Sequence, residues 1–279
     1  MLNVATLLDL VAAFRTSCVT FKSLAPQPIT HDDIFVGNHA VVCRCVDSGS
    51  GEVMSLKCYP HRRRNTSAIY GMAYLPDEAE VHSMRGVETV DVVAMPWIEG
   101  LSLDKMFRNP KSDYRRLSQA FDIMAYGMLC APRAHGDIKP GNIIVAPTGD
   151  MHLIDYDAAW VPGFTESDIE EVGTPAFSHP QRNGRCFDKG IDDFSIALIS
   201  TMLAAMAYRR NEFEPHLKGD DSMFCPRGVL TDDDALLKAA IRTFERKHDM
   251  AHYHIARSLY GCDGRIDGLQ DALLAAIKR

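Results

Sequence analysis

The sequence lacks an apolar run long enough to cross a bilayer. Its most apolar segment, residues 194–208, is shorter than the roughly 20 residues that a membrane helix needs, and charged pairs flank it. We therefore expect a buried core helix here and no membrane partner. The N-terminus has no basic region ahead of its first apolar residues, so residues 1–20 do not resemble a signal peptide.

The sequence also lacks a cysteine framework and an excess of basic residues. Its eight cysteines include no C-x-x-C pair, which is typical of a reduced protein, so we expect a cytoplasmic location. The net charge of −7 argues against a general nucleic-acid partner. His248, His252 and His254 have a spacing that zinc ligands can share, but no nearby cysteine or further helical acid completes such a set.

One short stretch carries most of the candidate chemistry. It reads His-Gly-Asp-Ile-Lys-Pro-Gly-Asn over residues 135–142, and Asp155-Tyr156-Asp157 follows it. The intervening residues 143–154 predict a β-hairpin with a Pro-Thr-Gly-Asp turn. Such a hairpin carries Asn142 before its first strand and Asp155 just after its second. We therefore expect both side chains to face one site, where they can hold a divalent cation.

These motifs resemble the catalytic core of the eukaryotic-type Ser/Thr protein kinases, which reads His-Arg-Asp-Leu-x-x-x-Asn and Asp-Phe-Gly. The resemblance implies that Asp137 accepts the proton of the substrate hydroxyl. It implies that Lys139 neutralises charge on the transferred phosphoryl group. It further implies that Asn142 and Asp155 hold Mg²⁺ against the phosphates of ATP. The resemblance covers roughly residues 30–210.

The order of predicted elements agrees with the layout of that family. Strands are predicted over residues 34–46, 53–59, 80–86 and 90–95, and helices over residues 2–15, 62–75, 114–130, 232–247 and 268–278. We expect an α+β, bilobal protein-kinase-like fold. Residues 1–98 would form a small β-rich N-lobe with an N-terminal helical extension, and residues 99–279 a larger helical C-lobe.

The nucleotide side of the site follows from the same resemblance. Lys57 lies where the family has the strand lysine that contacts the α- and β-phosphates of ATP. Val42 and Ser55 would form the roof of the adenine pocket and Ile144 its floor. The resemblance further implies that Met95 gates the back of this pocket. The Pro96 carbonyl would accept a hydrogen bond from the adenine amino group, and the Ile98 N–H would donate one to adenine.

Two features of the family are eroded in the first part of the chain. Phe35, Gly37 and Ala40 occupy the three positions of the phosphate-binding glycine loop, so only Gly37 is retained. The family also pairs the strand lysine with a glutamate of the next helix. No acid lies between Lys57 and Pro76, and Glu78 or Glu80 could serve only if that helix is displaced.

On the substrate side, residues 173–181 resemble the family's Gly-Thr-Pro to Ala-Pro-Glu segment. The resemblance implies that Thr174 bonds to Asp137 and Lys139, and that Asp192 supports the catalytic loop through hydrogen bonds. Gln181 replaces the glutamate that anchors this segment through an ion pair, and a neutral amide cannot make that pair.

Two further departures concern the catalytic loop itself. Gly136 replaces the arginine that commonly pairs with a phosphorylated loop, which predicts activity independent of phosphorylation at Thr165, Ser167 or Thr174. Asp157 replaces the glycine of Asp-Phe-Gly. With His-Gly-Asp, it is also similar to the aminoglycoside and choline phosphotransferases.

The resemblance therefore implies an ATP- and Mg²⁺-dependent Ser/Thr-type protein kinase that acts on a protein substrate. Asp155-Tyr156-Asp157 and His179-Pro180 are also similar to a divergent group of bacterial kinases, so we expect a bacterial, cytoplasmic protein. Two alternatives stay open. A pseudokinase would bind nucleotide or partners without turnover, and the eroded glycine loop and missing helix acid favour it. A small-molecule phosphotransferase is favoured by Gly136 and Asp157.

Overall fold

The computed structural model describes residues 6–84, 86–107, 109–182, 187–217 and 222–279. The chain divides into two compact units, residues 1–97 (unit 1) and residues 98–279 (unit 2). Unit 1 is built on an antiparallel sheet and unit 2 is mainly helical, so the fold is α+β. The first part of the helix predicted over residues 2–15 lies outside the described residues.

Unit 1 contains a six-stranded antiparallel sheet with the strand order β1-β5-β6-β4-β3-β2. The strands are β1 Val19–Phe21, β2 Ile34–Val36, β3 Val41–Val46, β4 Val53–Tyr59, β5 Tyr74–Ser83 and β6 Gly86–Pro96. The single strand predicted over residues 34–46 is wrong. A tight turn, in which Gly37 N donates to the Ala40 carbonyl at 2.9 Å, divides it into the hairpin β2–β3.

One face of this sheet is the core of unit 1. Alternate residues of its central strands, among them Cys43, Leu56 and Val92, turn to that face and are buried. Helix α1 (Leu7–Arg15) packs on it through its apolar side. The helix begins at a capping box, in which Thr6 and Asp9 each accept a backbone hydrogen bond from the other.

The segment between β4 and β5 holds much less helix than the sequence predicts. Helix α2 spans only Thr66–Tyr70, a 3₁₀ turn follows over Gly71–Ala73, and β5 already begins at Tyr74. Two physical reasons account for the short helix: no side chain caps its N-terminus, and Gly71 with a φ of +57° ends it.

Unit 2 begins with a small three-stranded sheet and continues as a helical core. Its elements are β7 Leu101–Ser102, α3 Leu103–Phe107, α4 Tyr114–Cys130, β8 Ile143–Val145, β9 Met151–Leu153, α5 Asp193–Phe213, α6 Pro226–Leu230, α7 Ala235–Arg246, α8 Met250–Ser258 and α9 Leu269–Ile277. The order in the sheet is β7-β8-β9. Helix α4 has the predicted bounds because Asp113 caps its first turn.

Helix α5 forms the centre of unit 2. All of its residues from Phe194 to Met206 are buried. The helical stretch Lys189–His216 is longer than the predicted apolar segment, and among the described residues it is the one long and apolar enough to cross a membrane. A buried core helix passes the same test, and 83% of its most apolar window is buried inside the protein.

Candidate active site

The buried carboxylate of Asp192 anchors residues 135–137, which we call the catalytic loop. It lies directly before α5 and accepts hydrogen bonds from the backbone N–H groups of His135 and Gly136, at 2.5 and 2.8 Å. Burial raises the pKa of Asp192, and the two N–H groups oppose this rise because they stabilise the carboxylate. The loop is therefore fixed to the first turn of the core helix.

His135 holds the loop from the opposite side as a neutral imidazole. Its Nε2 lies 2.9 Å from the carbonyl oxygen of Ile154, and its Nδ1 lies 3.2 Å from the backbone nitrogen of Asp137. A carbonyl only accepts and a backbone N–H only donates, so Nε2 carries the proton and Nδ1 accepts. Burial lowers the pKa of His135, which favours this neutral form.

Asp137 lies at the centre of a hydrogen-bond network. One carboxylate oxygen accepts from the backbone N–H of Thr174 at 2.7 Å. The other lies 2.9 Å from the Lys139 ammonium and 3.1 Å from the side-chain nitrogen of Asn142. Burial raises the pKa of Asp137, but the hydrogen bond and charge of Lys139, together with Thr174, outweigh it and leave the pKa below its usual value. Asp137 is therefore an ionised acceptor at neutral pH.

Lys139 connects this network to the segment that begins at Gly173. Its ammonium donates to the Thr174 hydroxyl at 2.9 Å while it contacts the Asp137 carboxylate. Thr174 is thus bound through its backbone to Asp137 and through its side chain to Lys139. The structure brings together the three residues that the sequence analysis places on the substrate side.

Asn142 and Asp155 are positioned by the β8–β9 hairpin. The N–H of Ile154 donates to the Asn142 carbonyl at 2.9 Å, which places Asp155 next to Asn142. The amide nitrogen of Asn142 is engaged by the carbonyl and the carboxylate of Asp137. Asp155 is exposed and has a left-handed backbone, with φ of +67°. An amide oxygen and a carboxylate are ligands that suit Mg²⁺.

The three histidines with the spacing of zinc ligands do not share one site. Among the described residues no group of three or more His, Cys, Asp or Glu side chains has the geometry of a metal site. His252 of the histidine array is buried between the carboxylates of Asp122 and Asp249, at 3.0 and 2.8 Å. His248 and His254 are exposed. The array is therefore divided between a buried ion network and the surface.

In unit 1, the predicted nucleotide contacts share one face of the sheet. The register pairs Val42 with Lys57 across β3 and β4, and pairs Ser55 with Met95 across β4 and β6. Directly paired residues, and residues two apart along a strand, point to the same face. Lys57 is only 7% exposed, and its ammonium lies 5.4 Å from the ring centre of Tyr59.

The remaining predicted contacts are divided between the two units. Pro96 is the last residue of β6, and Gly37 begins the turn between β2 and β3. Phe35, at the first position of the eroded glycine loop, stacks on Trp97 with ring centres 5.6 Å apart. Ile98 begins unit 2, and Ile144 lies in β8 of the same unit.

Neither acid suggested for Lys57 is placed to pair with it directly. The carboxylate of Glu78 accepts from the backbone N–H groups of Ser23 and Leu24, at 2.7 and 2.8 Å. Glu80 pairs with Thr89, four residues along β6 from the Val93 that pairs with Lys57. At about 3.3 Å per residue, Glu80 lies roughly 13 Å from Lys57 along the strand direction. Glu80 is also on β5, which β6 separates from β4.

Arg182, which no sequence motif indicates, also contacts the catalytic loop. The guanidinium of Arg182 donates to the carbonyl oxygen of Gly136, directly beside Asp137. The available signal was a basic residue next to Gln181, where the family carries an anchoring acid. Its partner could not be read from the sequence because the two residues lie 46 positions apart.

Comparison with known proteins supports a relationship to protein kinases at a coarse level. No protein-family model matches the chain. The chain is 28% identical over 129 residues to a protein of Oryza sativa subsp. japonica named "Putative cyclin-dependent kinase F-2". The match covers 41% of this chain and 38% of the rice protein, so the chain spans well under half the length of this relative. The similarity supports a relationship to protein kinases and indicates a kinase-like function.

Proposed function

We propose that the chain is an ATP- and Mg²⁺-dependent protein kinase that transfers the γ-phosphoryl group to a Ser or Thr hydroxyl of a protein. The observation that carries this proposal is the hydrogen-bond network of Asp137, Lys139, Asn142 and Thr174. It joins an ionised acceptor, a cation and an amide around one point. Phosphoryl transfer depends mainly on such positioning and on charge stabilisation.

In this mechanism Asp137 orients the attacking hydroxyl and accepts its proton. The lowered pKa keeps the carboxylate ionised, so it is ready to accept a hydrogen bond. Lys139 lies 2.9 Å from that carboxylate and provides positive charge where the transferred phosphoryl group gains negative charge. The Thr174 hydroxyl and N–H hold both groups in place.

Asn142 and Asp155 would hold the Mg²⁺ ion, which neutralises charge on the phosphates of ATP when it is bound. Their oxygen ligands fit a metal that keeps most of its coordinated waters. In unit 1, the face of the sheet with Val42, Ser55 and Lys57 supplies the nucleotide contacts of the proposal, and the Lys57 ammonium would bind the phosphates.

A pseudokinase is the second candidate, and one observation favours it. The short helix α2 carries no acid, and Glu78 is engaged by Ser23 and Leu24. Helix α2 therefore has no counterpart of the helix glutamate that protein kinases place next to the strand lysine. The network around Asp137 argues for turnover, because a scaffold has no need for an ionised, hydrogen-bonded acceptor at that point.

Transfer of label from γ-labelled ATP to protein tests this proposal. Purified protein is incubated with labelled ATP and Mg²⁺, with and without a generic protein acceptor, beside Asp137→Asn and Asp150→Asn variants. Asp150 is a matched control because it is an exposed acid at the turn of the same hairpin. We expect label on protein with the wild type and Asp150→Asn, and a loss of about 100-fold or more with Asp137→Asn.

The other results would each contradict the proposal in a different way. Stabilisation by ATP without any transfer would identify a pseudokinase. Label that appears on an aminoglycoside or choline but never on protein would identify a small-molecule phosphotransferase. Equal transfer by wild type and Asp137→Asn would remove Asp137 from the mechanism.

A further inference from the structure

Arg182 lies at the junction of the catalytic loop and the segment 173–182. Its Nη1 donates to the Gly136 carbonyl and lies 3.5 Å from the Ser178 hydroxyl. The Arg182 side chain is partly buried, whereas most arginine side chains in proteins are exposed to solvent. A guanidinium held in this way carries a positive charge to the peptide group that precedes Asp137.

The backbone next to this guanidinium leaves no room for a side chain at two positions, Gly136 and Gly173. A Cβ atom on Gly136 would lie 1.9 Å from the Ala158 carbonyl oxygen, so no side chain of any kind fits at this position. A Cβ atom on Gly173 would lie 2.6 Å from the Gly136 carbonyl oxygen and 2.7 Å from Nη1 of Arg182. The two glycines, both with positive φ, thus allow two backbones and one guanidinium to meet.

The charges at this junction are complementary. Burial lowers the pKa of Arg182, and the nearby carboxylates of Asp192 and Asp137 oppose this because they favour the charged form. An arginine with such neighbours stays protonated at any physiological pH. Asp192 accepts from the N–H of Gly136, whereas Arg182 donates to its carbonyl. Gly136 is therefore held at both of its backbone polar groups, its N–H by Asp192 and its carbonyl by Arg182.

We propose that Arg182 is a positioning residue that fastens the segment 173–182 to the catalytic loop through the Gly136 carbonyl. This attachment keeps Thr174 against Asp137 and Lys139 without any phosphorylated side chain. The inference deepens the proposed kinase function and rests on it. The positive charge next to the loop then comes from Arg182 of the segment, because the geometry of Gly136 excludes a side chain at that position of the loop.

Kinetic constants of Arg182→Gln and Arg182→Lys test the proposal. We expect kcat to fall about 10- to 100-fold in Arg182→Gln, because a displacement of about 1 Å at the reacting groups has an effect of this size. The KM for ATP should change less than about threefold, since Arg182 does not contact the nucleotide in the proposal. Arg182→Lys should recover part of kcat because an ammonium can donate to the same carbonyl.

Arg116→Gln is the matched control, because its side chain is 89% exposed on α4. It should leave both constants unchanged. The proposal is overturned if Arg182→Gln keeps kcat within about twofold of wild type. It is also overturned if the Gln and Lys variants lose activity equally and in step with their unfolding midpoints, since that is the behaviour of a purely structural residue.

Amide hydrogen exchange provides a readout that does not need turnover. In wild type the Thr174 N–H is bound to Asp137, so its exchange should be slow. Arg182→Gln should increase exchange in the peptide that contains Thr174 and leave helix α4 unaffected. An inactive wild type with this exchange pattern would contradict the proposed function alone, whereas unchanged exchange would contradict the role of Arg182.

Discussion

At the scale of single residues, the site depends on backbone groups as much as on side chains. The residue types and spacing of Asp137, Asn142 and Asp155 single these residues out, and their catalytic and metal-binding roles stay predictions. The contacts that hold them were less accessible. The neutral tautomer of His135 and the bond from Arg182 to Gly136 depend on segments far apart in the sequence, and no local pattern encodes such pairs.

Gly136 should be indispensable for folding of the loop. Gly136→Ala would place a methyl group 1.9 Å from the Ala158 carbonyl, at a φ of +81° that alanine rarely adopts. We expect the free energy of unfolding to fall by about 1–3 kcal/mol or more. Denaturant unfolding measures this. Gly141→Ala is the control because a Cβ atom there meets nothing within 4 Å, and an equal effect of both variants would contradict the prediction.

Phosphorylation of the exposed residues Thr165 and Ser167 should not control activity. Gly136 leaves no arginine in the loop to bind a phosphate, and Arg182 already contacts the Gly136 carbonyl. Turnover of Thr165→Ala and Ser167→Ala should stay within about twofold of wild type, as for most surface substitutions. Phosphatase treatment of wild type should have the same small effect. A large loss in either experiment would show that an activating phosphate is needed.

At the scale of elements, periodicity and capping predicted some helices well and others poorly. Helix α4 has its predicted bounds, and the β8–β9 hairpin forms where two short apolar segments enclose a turn. The helix predicted over residues 62–75 is shortened to Thr66–Tyr70, because no side chain caps its N-terminus and Gly71 ends it. Both strands of the pair β5–β6 begin earlier than predicted, at Tyr74 and Gly86, because the two strands pair with each other over this length. That pairing cannot be read from either strand alone.

The contact between α4 and α8 should make stability depend on pH. Burial lowers the pKa of His252, but hydrogen bonds to Asp122 and Asp249 outweigh this and raise it to about 9. Arg279 and Tyr208 also contact Asp249, and the pKa of Asp249 is lowered, so this carboxylate stays ionised above acidic pH. His252 therefore stabilises the protein fully below pH 6.5, and this contribution disappears as the pH rises through about 9.

Unfolding of His252→Gln at pH 6 and pH 10 measures this contribution. The variant should be less stable than wild type at pH 6, by on the order of 2–3 kcal/mol, and the difference should shrink at pH 10. His254→Gln is the control, because His254 is exposed on the same helix. A difference that is equal at both pH values would show that His252 acts through packing rather than through its charge.

At the scale of the whole molecule, the sequence predicts the succession of a sheet and a helical part. The structure has this α+β succession, with a division after Trp97. Each unit has its own buried core, and each carries a separate part of the predicted site. The roles of these two parts stay predictions, because they concern ligands. They can be separated experimentally, since Lys57 belongs to one unit and Asp155 to the other.

ATP should stabilise the protein in two distinguishable ways. ATP at about 100 times its Kd should add about 2.7 kcal/mol to the free energy of unfolding, and Mg²⁺ should increase the effect. Lys57→Met should reduce stabilisation by ATP with or without Mg²⁺, because the lysine would bind the phosphates directly. Asp155→Asn should remove only the increment that Mg²⁺ adds. Thermal unfolding measures both effects when it is recorded with ATP alone, with ATP and Mg²⁺, and with Mg²⁺ alone.

The exposed Lys111 provides the matched control for this experiment, since Lys111→Met removes the same charge from the surface of unit 2. It should respond to ATP and Mg²⁺ as wild type does. If Lys57→Met and Asp155→Asn both keep the full response, the nucleotide binds elsewhere. If Asp155→Asn loses the Mg²⁺ increment while Lys57→Met responds normally, phosphate binding does not require the strand lysine. That result would place this chain outside the kinase arrangement on which its catalytic residues were assigned.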